Sequence, residues 1–236
     1  MTLTIVHLYP DLLRTYGDRG NVMALTRRAR WRDIDVDLVE VTRGESLPGA
    51  AGIVFMGGGS DRVQRIIGSD LSARCAQLGD LAAAGTVVVG VCGGYQMLGT
   101  GYRLPDGEIL EGLGLLDVFT EAGPTRIIGR LAATVDRPGL RTELIGFENH
   151  GGRTTLGPAA TALARTARGR GNNGEDGTEG AVQGTILGTY LHGPVLPLNP
   201  ALTDWIIATA LGRDALTPID DTAEERARAR WPRSRG

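Results

Sequence analysis

One stretch limits the folds open to this chain more than any other: Val87-Val88-Val89-Gly90-Val91-Cys92-Gly93-Gly94-Tyr95-Gln96-Met97-Leu98-Gly99. Its apolar, β-branched start reads as a strand buried on both faces. The run stops at a cysteine followed by glycines and passes straight into a helical pattern. A strand that hands a nucleophile to a sharp strand-to-helix turn needs such neighbours, because the backbone bends tightly and another molecule must come close. The free N–H groups at the start of the helix favour a thiolate. Cys92 is therefore the candidate nucleophile. Cys75, mid-helix among Ala and Leu, reads as a small buried apolar residue.

The stretches before it alternate in type. Thr4 to Tyr9 is a strand pattern, Tyr16-Gly17-Asp18-Arg19-Gly20-Asn21 a turn-rich loop, and Val22 to Trp31 a helical pattern. Asp35 to Val41 and Gly52 to Met56 follow as strands, the second running into Gly57-Gly58-Gly59-Ser60-Asp61-Arg62. A helical region extends to Ala84, and Thr86 to Val91 is the strand that carries Cys92. This alternation predicts an α/β fold with a mostly parallel sheet and helices on both faces. Ligands in such sheets sit beyond the carboxyl ends of the strands, where Gly57–Gly59 and Cys92 lie. From about Gly112 the texture changes. Leu113 to Phe119, Arg126 to Val135, Leu144 to Asn149 and Thr185 to His192 read as strands of an antiparallel extension. Arg168 to Gly180 is Gly-rich and polar, and its composition predicts a mobile loop. Asn199-Pro200 opens a helix to about Leu211. The expected organisation is one domain over 1–212 and a polar tail, loosely held or partner-binding, over 213–236.

Composition narrows the function classes. A net charge of −2 on 236 residues offers no electrostatic footprint for nucleic acid or an anionic membrane. No apolar run is long enough to span a bilayer, and the N-terminus reads as a strand rather than a signal peptide. Two cysteines form neither a disulfide framework nor a zinc site, so no metal and a reducing cytoplasm are expected. Every basic residue other than histidine is arginine. That excludes Schiff-base chemistry and a P-loop lysine.

A nucleophilic cysteine needs a base, and the chain has three histidines. His7 lies inside the first strand and reads as core. His150 and His192 both end strand patterns beside glycine. His192 is the favoured base, because an apolar strand delivering a histidine to a turn mirrors the setting of Cys92; His150 is the alternative. Acyl chemistry also needs an oxyanion hole. The N–H groups of Gly58, Gly59 and Gly93 are the candidates, with a plain tight turn as the competing reading of the glycine run.

Val91-Cys92-Gly93-Gly94-Tyr95-Gln96-Met97-Leu98-Gly99 resembles the nucleophile elbow of class I (triad-type) glutamine amidotransferases. Phe147-Glu148-Asn149-His150-Gly151-Gly152 and Thr189-Tyr190-Leu191-His192-Gly193-Pro194 look like further signatures of the cobyric-acid-synthase-like branch. Tyr16–Asn21, Gly57–Arg62, Pro105-Asp106-Gly107 and Gly171-Asn172-Asn173 extend the likeness over residues 1 to 212, and it is greatest to the glutaminase subunits of lipid II isoglutaminyl synthase. This implies a flavodoxin-like fold and glutamine hydrolysis through a thioester on Cys92, with His192 as base and the oxyanion on Gly58, Gly59 and Gly93. Arg126 matches the family position linked to holding glutamine, where a guanidinium can pair with the α-carboxylate. Gln96 either touches substrate or braces the elbow. The resemblance implies a heterodimer with a Mur-ligase-like, MurT-type synthetase, which would hold ATP and Mg²⁺, amidate D-glutamate of lipid II and leave this subunit without a cofactor. One departure stands out. Many class I members carry a glutamate two residues after the histidine; here that residue is Pro194, so either Cys92 and His192 work as a dyad or an acid comes from Glu148 or from the partner, and the partner is the favoured source. Cobyrinic- and cobyric-acid amidases share the elbow but carry a P-loop domain on the same chain. This sequence starts at the amidotransferase strand, so a separate synthetase is expected. A non-catalytic scaffold is the remaining alternative, disfavoured by the retention of both Cys92 and His192.

Overall fold

The computed structural model describes residues 2–13, 15 and 17–231. In chain order the elements are β1 (Thr2–Leu8), α1 (Arg19–Arg30), β2 (Asp35–Val41), β3 (Ile53–Met56), α2 (Asp61–Ala73), α3 (Cys75–Ala83), β4 (Val87–Val91) and α4 (Gly93–Leu98). There follow β5 (Gly101–Arg103), β6 (Ile109–Glu111), β7 (Val118–Arg137), β8 (Leu140–Leu156), β9 (Ala164–Arg168), β10 (Thr178–Glu179), β11 (Ala181–Gln183), β12 (Ile186–Thr189), α5 (Val195–Leu198), α6 (Pro200–Ala210) and α7 (Thr222–Arg230).

All five residues of β4 are buried, and the strand sits inside a sheet of order β11-β12-β4-β3-β1-β2. Every pair is parallel except β11–β12 at the edge. The two-residue period of a strand explains why its apolar run is continuous. Ile5, Ile53, Phe55, Val87, Val89 and Val91 face one side and pack with Val22 and Leu25 of α1 and Leu202 and Ile206 of α6. Val6, Leu8, Val54, Met56 and Val88 face the other and pack with α2, α3 and α4 through Ile67, Leu71, Leu78 and Tyr95. A strand covered on both faces has no polar position to alternate.

The expected parallel half is present, and its last strand is one that the sequence suggested was antiparallel. Thr185–His192 supplies β12, which pairs parallel to β4 with Thr189 opposite Val91. Periodicity cannot tell a parallel from an antiparallel partner, because both leave the same alternation. The consequence is functional, since β12 delivers its C-terminal end beside Cys92.

A second sheet, β10-β9-β7-β5-β6 with β8 on β7, forms the extension. Its spine is the long antiparallel β7–β8 hairpin, whose register breaks between Ala122 and Ile127. The break falls on Gly123-Pro124-Thr125-Arg126, since proline cannot donate to the ladder. The expected strand over Leu113–Phe119 begins only at Val118, and the residues before it form a loop.

The Gly-rich run 168–180 is not the loose loop its composition suggested. Asn172 is fully buried, and its Nδ2 donates to Thr178 Oγ1 and to Gly180 O, both at 2.9 Å. Its Oδ1 accepts from the Gly180 N–H at 2.9 Å. The glycines supply left-handed backbone, for example φ +60° at Gly171 and at Gly180, that lets the chain wrap one buried asparagine.

The polar segment after Gly212 is anchored as well. Arg28, 3% exposed, donates from Nε to Asp204 and from Nη1 to Asp221, both at 2.6 Å. Arg32 ties Thr217 O at 2.6 Å, and Arg228 of α7 donates to Leu198 O at 2.6 Å and Glu143 O at 2.8 Å. Residues 232–236, the end of the expected tail, lie outside the described residues. No helix among the described residues is long and apolar enough to cross a membrane. Removing the guanidinium of Arg28 leaves Asp221 without the cation it pairs with at 2.6 Å; because both aspartates are partly solvated, the cost is about 1–3 kcal/mol. Arg28→Ala is expected to lower the melting temperature and to expose the arginines of α7 to trypsin well before the body is cut. A digestion pattern identical to that of the unmodified chain would show that the tail is held by something else.

Candidate active site

The elbow is built by close backbone contact. Cys92 has φ +51° and ψ −102°, an unusual conformation for a residue with a Cβ that stores about 1–3 kcal/mol. It is held there by the Cys92 N–H, which donates to Thr189 O at 2.9 Å, and by Cys92 O, which accepts from the Gln96 N–H at 3.0 Å. A Cβ on Gly93 would stand 2.7 Å from Gly59 N, and one on Gly90 2.7 Å from the Gly94 carbonyl carbon. Only glycine lets β4, α4 and the 57–59 loop meet at this separation.

The loop presents fewer oxyanion donors than the sequence suggested. The Gly58 N–H donates to Asp18 Oδ2 at 2.6 Å, so it is already committed. Asp18 is 2% exposed; burial raises its carboxyl to about 7, against the hydrogen bonds from the Gly58 N–H and Asn21 that favour the charged form. Gly57 O accepts from the Gly94 N–H at 3.1 Å, which ties the loop to α4. The Gly59 N–H has no acceptor among the described residues, and it lies against Gly93. Gly59 and Gly93 therefore remain as the candidate donors, and Gly58, whose N–H is committed to Asp18, leaves the expected set.

Burial pushes the Cys92 thiol up to about 12, helped by the negative charges of Asp18 and Asp61. The Gly93 N–H and the Arg126 guanidinium pull it the other way. At neutral pH the sulfur therefore rests as a thiol. Arg126 sits at the register break of β7 and lines a cleft of about 400 Å³ with Cys92, Gln96, Tyr102, Asp61 and His150. Its Nη2 donates to Asn149 O at 3.0 Å and Oδ1 at 2.9 Å, which aims the guanidinium along the cleft wall. Gln96 is a brace that also lines the cleft. Its Oε1 accepts from Gln64 Nε2 at 2.8 Å and its Nε2 donates to the Tyr190 hydroxyl at 3.2 Å.

The two candidate histidines have different settings. His192 follows β12, and its backbone exchanges hydrogen bonds with Phe147, at 2.8 Å from the His192 N–H and 3.2 Å to its O. Its ring stacks on Phe147 at 5.3 Å, and burial pushes the imidazole down to about 4. His150 faces the cleft and stacks on the Tyr190 ring at 3.7 Å. Its Nδ1 lies 2.8 Å from Gly152 O, which assigns the proton to Nδ1, and burial pushes it down to about 3. Both rings are neutral at pH 7. His7 packs edge-on against Phe55 in β1, as its strand position implied.

Glu148, the intramolecular candidate for a third acid, accepts from the N–H groups of Arg170 at 2.9 Å and Gly171 at 2.9 Å, so its carboxylate holds the 168–171 turn. A second buried acid escaped the sequence reading altogether. Glu179 is 0% exposed, and its Oε1 accepts from Thr189 Oγ1 at 2.6 Å and the Tyr190 N–H at 2.9 Å. It grips the end of β12 just before His192. Its place inside an apparent loop hid it, although an acid among glycines directly before an apolar run was the available signal. Asp18, within the Tyr16–Asn21 loop, was equally unassigned.

Burial raises Glu179 to about 7, above its ordinary carboxylate value. Between about pH 4.5 and 7 the folded chain thus retains a proton that the unfolded chain releases, and stability from this group is lost as pH rises through that window. Glu179→Gln removes this dependence. The melting temperature of the variant relative to the parent should improve from pH 5 to pH 8, by the equivalent of about 1–3 kcal/mol. A difference that stays constant across the range would mean that Glu179 ionises normally.

Comparison with known proteins agrees with this geometry. Residues 4–200 match the model of the CobB/CobQ-like glutamine amidotransferase domain. The chain is 41% identical over 231 residues to the GatD subunit of lipid II isoglutaminyl synthase (glutamine-hydrolyzing) from Staphylococcus aureus, covering 96% of this chain and 93% of that one. It is 35% identical over 223 residues to the GatD subunit from Streptococcus pneumoniae, covering 92% and 85%. Among solved structures, the glutaminase domain of Trypanosoma brucei CTPS superposes with a TM-score of 0.58 at 12% identity, over 92% of this chain and 96% of that domain, a likeness of fold. An α/β sheet with a cysteine elbow at its carboxyl edge, matched over most of its length, places this chain in the CobB/CobQ-like glutamine amidotransferase family.

Proposed function

We propose that this chain hydrolyses L-glutamine to glutamate and ammonia and passes the ammonia to a Mur-ligase-like synthetase that amidates D-glutamate of lipid II. The observation that carries the chemistry is the strained Cys92 lining one cleft with Gly59 and Arg126, next to Gly93 packed against Gly59. The assignment of the acceptor rests on the likeness to GatD over nearly the whole chain.

The glutamine α-carboxylate pairs with Arg126, and the side-chain amide carbon is brought to Cys92 Sγ. Sulfur adds to that carbon as the thiol proton passes to His192. Negative charge develops on the amide oxygen and is met by Gly59 and Gly93. The tetrahedral centre collapses, the C–N bond breaks, and His192 returns the proton to departing ammonia. Water then loses a proton to His192 and adds to the thioester. Glutamate leaves and the Cys92 thiol is restored. Because His192 titrates near 4 and Cys92 near 12, the resting pair is neutral, and proton transfer accompanies attack rather than preceding it. His192 is preferred to His150 because β12, whose Thr189 carbonyl holds the Cys92 N–H, delivers it to the same sheet edge. The Phe147 stack and backbone pairing support its orientation, and a carboxylate of the partner subunit takes the place of the glutamate that is absent at Pro194.

The partner is a MurT-type subunit in a cytoplasmic heterodimer, and ATP and Mg²⁺ serve that subunit in activating the acceptor carboxylate. Cys92→Ala should abolish glutamine-dependent amidation by the complex while ammonia-dependent amidation stays within about twofold. Loss of both activities would assign Cys92 to structure. Mass spectrometry of the proteins that co-purify with the chain identifies the synthetase, and a cobyrinic-type partner would redirect the acceptor assignment. Arg126→Ala should raise the KM for glutamine by about tenfold or more, the loss of one charge-assisted pair, with alkylation of Cys92 by iodoacetamide little changed. An unaltered KM would remove Arg126 from the binding site.

A further inference from the structure

The start of α1 has no part in the mechanism above, yet Asp18 at its N-cap and Asn21 in its first turn are among the most buried polar side chains of the described residues. Asp18 is 2% exposed and Asn21 0%. Asp18 Oδ2 accepts from the Gly58 N–H at 2.6 Å, and Asp18 Oδ1 accepts from Asn21 Nδ2 at 3.1 Å. Asn21 Oδ1 in turn accepts from the Leu196 N–H at 2.8 Å. Leu196 lies four residues beyond His192. The connecting segment is pressed onto the same helix start, since a Cβ on Gly20 would stand 2.6 Å from Pro194 Cγ. Three unbroken hydrogen bonds thus run from the oxyanion loop to the histidine segment, across elements that are 138 residues apart in sequence at their ends, Gly58 and Leu196.

We propose that Asp18 and Asn21 are positioning residues that fix the Gly57–Gly59 loop relative to the His192 segment, so that the oxyanion donors and the base keep one geometry around Cys92. The inference rests on the glutaminase reading for its catalytic meaning. Asp18 holds the Gly57–Gly58 peptide through the Gly58 N–H, and the next peptide, which carries the Gly59 N–H, is held by the Thr15 N–H on Gly58 O at 3.2 Å. Neither residue touches substrate; both act through the backbone they hold.

The relay has a donor–acceptor parity that makes it testable. Its two ends are backbone N–H groups, so the pair between them must offer an acceptor at each end and a single donor in the middle. Asp18 with Asn21 satisfies this. The Asp18→Asn change alone breaks it, because in every amide orientation one NH₂ faces another N–H donor. The Asn21→Asp change alone sets two carboxyl groups together; burial already raises Asp18 to about 7, so this variant keeps the relay only while the pair shares one proton and breaks it as pH rises above neutral. Both changes together, which exchange the carboxylate and the amide between the two positions, satisfy it again with the middle donor reversed.

The test uses the full chain carrying Asp18→Asn, Asn21→Asp or both. Glutamine hydrolysis is followed as kcat and KM, the melting temperature is measured, and backbone exchange of segments 56–59 and 195–198 is followed by mass spectrometry. Above neutral pH each single variant is expected to lose at least tenfold in kcat with KM within threefold, and to exchange faster in both segments. The double variant should recover kcat to within about threefold of the parent and restore protection. A double variant no better than the singles, or singles with parental kcat and exchange, overturns the relay. A fall in KM-limited binding alone, with kcat intact, also overturns it. If the unmodified chain hydrolyses no glutamine either alone or in complex with its synthetase, the glutaminase reading fails, and the exchange measurements still decide whether the two segments are coupled through Asp18 and Asn21.

Discussion

The site depends on a contact in which side chains take almost no part. The 57–59 loop, the start of α4 and the end of β4 meet at backbone distance, with the Gly94 N–H on Gly57 O at 3.1 Å and room for no Cβ on Gly93 or Gly90. The strain in the Cys92 backbone is tolerable because this contact, together with the Thr189 carbonyl, over-determines where the turn can go. The positions of the thiol, of the Gly59 and Gly93 N–H groups and of the helix N-terminus are consequences of one packing arrangement. Their relative positions can change only if β3 and β4 part, and both strands are buried on both faces.

Around that contact lies an interior richer in polar groups than a simple core. Gln64, Gln96, Tyr190, Thr154 and Thr120 form a continuous buried chain of hydrogen bonds beneath the cleft. Glu179 holds the end of β12, and Glu148 holds the turn at 170–171. Buried polar groups are costly unless they are paired, and paired ones specify a unique arrangement more sharply than apolar contacts do. Here they locate two histidine-bearing segments, β8 and the end of β12, against the sheet that carries the nucleophile. The low dielectric that results keeps both histidines neutral and the cysteine protonated in the resting chain. Reactivity is thereby tied to the arrival of a substrate whose charges the site can meet.

Much of this was legible in the residues. The β-branched run into Cys92-Gly93-Gly94 implied the strand, the turn and the helix, because few other local structures suit that order of side chains. The alternation of strands and helices up to β4 implied the parallel sheet, whereas the cleft-lining place of Arg126 comes from the register break in β7 at 123–126. Less legible were features that depend on a distant partner. Gly58 looked like an oxyanion donor until Asp18, 40 residues earlier, took its N–H. The 168–180 run looked mobile because its glycines are also what a wrapped turn needs, and only the burial of Asn172 distinguishes the two.

Sequence by itself determined the identity of the reactive groups and the local turn that presents one of them, since φ/ψ preference and side-chain chemistry are properties of neighbouring residues. Tertiary structure alone decided which N–H groups remain unclaimed, which acids are spent on backbone, and that Thr185–His192 runs parallel beside Val87–Val91. Those outcomes are settled by competition for hydrogen bonds and by the burial of both sheet faces, and such competition exists only once residues far apart in the chain have been brought into contact.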